Sequence, residues 1–124
     1  MYNKAVHERL IEAAKTEDEF VLYPEIITLA GLGHLTGDAL SGALGRLFYA
    51  VIQQDMASDP ARPILSAVAV SSTTMTPGGG FYTLAREMEQ LHSKDEKAEL
   101  EFWLNELKRL RSYWQSRPSV SDCH

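Results

Sequence analysis

The chain has 124 residues and one cysteine, Cys123, which lies next to its end. A single thiol forms no internal disulfide, so the fold must stand on packing alone, and a reducing compartment is expected. No apolar run approaches the ~20 residues of a membrane-spanning helix. The start, MYNKAVHERL, lacks the apolar core of a signal peptide. These features lead us to expect a cytoplasmic protein without a membrane partner. Positive charge is also scarce. Twelve Lys and Arg face 17 Asp and Glu, for a formal net charge of −5, which disfavours indiscriminate binding to polyanions. The four histidines, His7, His34, His92 and His124, are scattered, with no Cys, Asp or His partner at ligand spacing. Neither a metal nor a cofactor is expected. Ser66 has no nucleophile-elbow glycines around it, so no catalytic residue is assigned and the chain is not read as an enzyme.

What is present is helical periodicity. Asn3 stands where an N-cap would open a first helix carrying Val6, Leu10, Ala13 and Ala14 on one side. FVLY, ending at Tyr23, reads as a short extended piece. Pro24 then suits the first turn of a short helix that Gly31 can end. A tight connection leads to a third helix, expected over 38–56, with Leu40, Leu44, Leu47, Phe48 and Val51 as its apolar face. ILSAVAV, small and β-branched between turn residues, reads as a strand. SSTTMTPGGG follows as a loop, then a helix over 81–92. SKDE has the form of a capping box opening a long last helix.

The order predicts an α+β domain, mostly α. Its core would be winged-helix-like, a helix-turn-helix plus a small β-hairpin, followed by two additional C-terminal helices. One domain is expected over 1–117, with a flexible tail at 118–124.

LYPEIITLAGL followed by GDALSGALGRL resembles the helix-turn-helix part of the alkyltransferase-like DNA-repair proteins. RPILSAVAVSSTTMTPGGGF resembles the strand and glycine-rich segment after it, and also a pattern found in uncharacterised small bacterial and phage proteins. The resemblance spans Tyr23 to Phe81. It implies a winged-helix fold and duplex DNA as a partner. Alkyl transfer is not implied, because Pro63-Ile64-Leu65-Ser66 stands where that family has Pro-Cys-His-Arg.

Three candidate surfaces follow. A DNA-binding regulator or repair-associated factor would use Ser41, Arg46, Gln53 and Gln54 on the third helix and Thr73 and Thr74 in the loop. Against it, Arg46 is the sole cation of these segments, and duplex affinity rests on neutralised phosphates. The run Gly78-Gly79-Gly80 either lets the backbone pass close to a neighbour or presents amides to an anion. It is not a P-loop, because no lysine follows it. Trp103, Leu107, Leu110 and Trp114 on the last helix either pack on the chain's own core or form a self-association interface. The first expectation is therefore a non-catalytic binding module acting through protein contacts, as a homodimeric adaptor or regulator. DNA binding is the alternative.

Overall fold

The computed structural model describes residues 2–57 and 59–115. The tail expected at 118–124 lies outside them. Helix α1, Lys4–Lys15, opens where expected: the Asn3 side chain accepts the Val6 N–H at 2.9 Å. Its buried side is Val6, Leu10, Ala13 and Ala14. Strand β1, Val21–Leu22, runs directly into α2, Tyr23–Leu29, which carries Pro24 in its first turn. Gly31, at φ 70°, ends α2 in the left-handed conformation. Helix α3, Gly37–Met56, buries Ala43, Leu47, Val51, Ile52 and Asp55. A 3-10 helix at Leu65–Val68 leads into β2, Ala69–Val70. Helices α4, Gly79–Glu87, and α5, Glu96–Gln115, complete the described residues. The result is mostly helical, with a small two-stranded sheet.

Three expectations are corrected. Only Ala69 and Val70 of ILSAVAV form a strand, and Leu65–Val68 coils. Every residue from Ile64 to Val70 is buried. A continuous apolar run of that length does not distinguish a strand from a buried helical turn. The turn is tied down by side chains from α5. Glu106 Oε2 accepts the Ile64 N–H at 2.8 Å, and Trp103 Nε1 donates to the Ala67 carbonyl at 2.8 Å. Secondly, β1 and β2 pair in parallel, Val21 with Ala69 and Leu22 with Val70. A wing is an antiparallel hairpin, and the described residues contain none. After β2 the backbone instead makes a closed turn, in which the Ser71 carbonyl accepts the Met75 N–H and the Ser71 N–H donates to the Thr76 carbonyl, both at 2.9 Å. Thirdly, the cap of α5 is Asp95, not Ser93. Asp95 Oδ2 accepts the Ala98 N–H, while Ser93 Oγ accepts the Asp95 N–H.

The core lies where α1, α3 and α5 close around the 3-10 helix. Trp103, Leu110 and Trp114 are buried in it, and Leu107 is half-buried against it. Of the two readings of this face, packing on the chain's own core is the one seen for Trp103, Leu110 and Trp114, because the buried 3-10 segment needs covering on several sides. Leu100 and Leu104 remain outside, 44% and 49% exposed.

Candidate functional site: a groove between α3 and α4

The sequence of α3 makes two unlike faces. Leu47 and Val51 turn to the core, whereas Ser41, Gly45, Tyr49 and Gln53 recur every fourth residue and are exposed. Small residues on that row leave room beside the helix, and the N-terminal half of α4 lies across the space. Between them runs a groove of about 590 Å³. Leu44, Phe48, Phe81 and Leu84 give it apolar walls. Ser41, Arg46, Thr83 and Glu87 supply polar lining, and Ser66 reaches it from the 3-10 helix.

Tyr23 fixes one end. Its hydroxyl accepts the Gly78 N–H at 2.6 Å, and its ring lies 6.0 Å from that of Phe48. Burial raises the phenol's pKa above the ordinary value, and the Gly78 hydrogen bond offsets part of that rise. A Cβ on Gly78 would come within 3.3 Å of the tyrosine oxygen. The glycine run therefore does bring the backbone close to a neighbour, but at Gly78 alone. At Gly79 and Gly80 a Cβ would meet nothing within 4 Å. These two residues form the first turn of α4, where backbone N–H groups have no acceptor within the helix.

Two polar side chains of the groove are not used by the fold. Ser66 is 4% exposed, and its hydroxyl has no hydrogen-bond partner among the described residues. Arg46 is exposed and makes no ion pair among the described residues. Its guanidinium folds back toward Gly42, with Nη1 3.3 Å from where a Cβ there would stand. The lining contains neither histidine nor cysteine, and Glu87 is its one carboxylate. Among the described residues no group of His, Cys, Asp or Glu has the grouping to hold a metal ion, and no helix is long and apolar enough to cross a membrane.

Of the residues expected to face DNA, Ser41 and Arg46 line the groove. Gln53 lies further along α3, donating to the Tyr49 hydroxyl at 2.8 Å, and Gln54 is exposed beside it. Thr73 and Thr74 are exposed on the turn after β2, outside the groove, where Thr74 and Thr76 share a hydrogen bond. Gly78, Gly79 and Gly80 all line it. Sequence reasoning did not assign Tyr23, Phe48 or Ser66 to a site. The one available signal was Ser66 itself, the sole hydroxyl within ILSAVAV.

A second polar cluster lies away from the groove. The Tyr2 hydroxyl and His7 Nδ1 share a hydrogen bond of 2.8 Å, and His7 Nε2 is 3.0 Å from Asp55 Oδ1. Arg62 Nη1 donates to the same carboxylate oxygen and to the Asp55 carbonyl. This cluster joins the start of α1 to the end of α3. No protein-family model, curated protein or solved structure matches the sequence or its fold.

Proposed function

We propose that this protein is a non-catalytic binding module that works through protein contacts, and that the α3–α4 groove receives a segment of its partner. The observation carrying this reading is the combination of apolar walls with two polar groups the fold leaves unengaged, Ser66 and Arg46. Binding sites of this kind are mostly apolar with a few placed polar groups. The apolar face of α5 has little left to offer, since Trp103, Leu110 and Trp114 are inside the core.

The test is selection of binders from a random peptide library, compared with a variant whose groove is filled. Gly45 is exposed, lines the groove and has open space at its Cβ position, so Gly45→Phe fills the groove without displacing backbone. Selected peptides should bind the natural protein and lose about tenfold or more in affinity, on the order of 1.4 kcal/mol, against Gly45→Phe. A library that yields no binder sensitive to this substitution rejects the reading.

The DNA-binding alternative has its own observation: Ser41, Arg46, Gln53 and Gln54 all stand on the solvent side of α3. In that reading α2, the tight turn and α3 act as the DNA-reading unit of a winged-helix-like core. Retention on duplex DNA at low salt, lost as salt rises and weakened by Arg46→Ala, would favour it. No retention at low salt removes it.

A further inference from the structure

We infer that the groove recognises a carboxylate, specifically the C-terminal carboxylate of a peptide whose last residue is apolar. This rests on the binding-module reading and names what that module would take.

Three kinds of donor meet at the groove. The N–H groups of Gly79 and Gly80 open α4, a nine-residue helix, and have no acceptor within it. Gly78 does not belong to this set, because its N–H is already held by Tyr23. The Ser66 hydroxyl lines the same groove, buried and without a partner among the described residues. A buried hydroxyl with no acceptor is costly to keep unless something comes to meet it. Arg46, exposed and without an ion pair among the described residues, supplies a full positive charge.

The charge sets the class of ligand. Arg46 and a helix N-terminus, worth about half a positive charge, against Glu87 in the same lining, leave the groove a small positive excess. That excess is nearer to the single negative charge of a carboxylate than to the nearly two of a phosphate. A carboxylate carries one charge on two oxygens, and each oxygen accepts from N–H and O–H donors. The walls set the rest: Leu44, Phe48, Phe81 and Leu84 favour an apolar side chain next to that carboxylate. A peptide that ends in an apolar residue offers both parts together, and capture of such a terminal carboxylate by backbone amides is an established recognition mode.

The test is an amide-resolved NMR titration of the ¹⁵N-labelled protein with N-acetyl-leucine, N-acetyl-leucinamide and inorganic phosphate. N-acetyl-leucine should shift the Gly79 and Gly80 amides saturably, and the amide should bind about tenfold more weakly. Ser66→Ala should weaken the acid several-fold and leave the amide unchanged. Arg46→Gln, on the exposed rim, should do the same and serves if the buried substitution unfolds the protein. Several results overturn the inference: equal affinity for acid and amide, tighter binding of phosphate than of the acid, undiminished acid affinity in both variants, or silent glycine amides with every probe. Shifts of Phe48 and Leu84 by acid and amide alike would leave the groove a receptor while removing the carboxylate. Peptides selected through the groove would likewise keep the module reading alive if only the carboxylate probe failed.

Discussion

Tyr23 holds its hydroxyl where the backbone of Gly78 arrives, and this one contact explains why the first glycine of the run is a glycine. Removing the hydroxyl leaves the Gly78 N–H without its acceptor. Tyr23→Phe should therefore destabilise the fold by about 1 kcal/mol in urea denaturation near neutral pH. The phenol also links stability to pH. Its folded pKa is raised, first by burial, so the fold prefers the neutral form. That preference is fully present below the unfolded value of about 10 and is lost as pH rises through the folded value. The natural protein should lose stability as pH rises above about 10, and Tyr23→Phe should lose less over the same rise. Tyr82 is raised as well, first by burial, so the variant's curve should flatten without becoming level. From sequence, Tyr23 was expected to end the extended piece before Pro24, whereas it opens α2 instead, because Leu22 takes the extended cap position. The tyrosine's partner could not be found, because Gly78 is 55 residues away and local patterns do not record such pairings.

Among the elements, the glycine run divides into two kinds of position. At Gly79 a Cβ meets open space at the start of α4, so alanine there restricts only the unfolded state and should stabilise by up to about 1 kcal/mol. At Gly78 the added Cβ meets the oxygen of Tyr23, whose ring is packed beside Phe48, so Gly78→Ala should destabilise. Thermal melts of the two variants should shift in opposite directions; equal shifts would mean that Tyr23 yields freely. The same elements show what periodicity can and cannot reveal. Helix α3 was readable from Leu40, Leu44, Leu47 and Val51, since one face meets water. The segment from Ile64 to Val70 has no wet face, so it lacks the alternation that separates strand from helical turn. Its anchors, Trp103 and Glu106, come from α5. The groove was legible in pieces, as Ser41 and Arg46 in one place and Gly78 to Gly80 in another. That these pieces face one another over Ser66 is a property of packing between helices.

At the scale of the whole molecule, one arginine joins the two ends of the described residues. Arg111, late in α5, serves α1: Nη1 donates to the carbonyls of Ala13 and Thr16 at 2.9 and 2.6 Å, and Nη2 to that of Glu19 at 2.6 Å. Its guanidinium also lies 5.1 Å from the centre of the Phe20 ring. Burial lowers its pKa, while Asp18, Glu17 and Glu19 work in the other direction. A lysine has one nitrogen and no planar fork, so Arg111→Lys should not restore what Arg111→Ala removes. Both should cost about 2 kcal/mol or more in chemical denaturation. A lysine variant as stable as the natural protein would show that charge alone closes the fold.

That closure bears on how the protein is made. Arg111 lies 98 residues after Ala13, so on a ribosome α1 emerges long before the group that satisfies its last carbonyls. The 3-10 helix, too, leaves the exit tunnel ahead of Trp103 and Glu106. Until α5 follows, the apolar run from Ile64 to Val70 lacks one of its covers. The nascent polypeptide must therefore carry this sticky stretch partly uncovered until α5 has emerged, and that helix decides when the exposure ends.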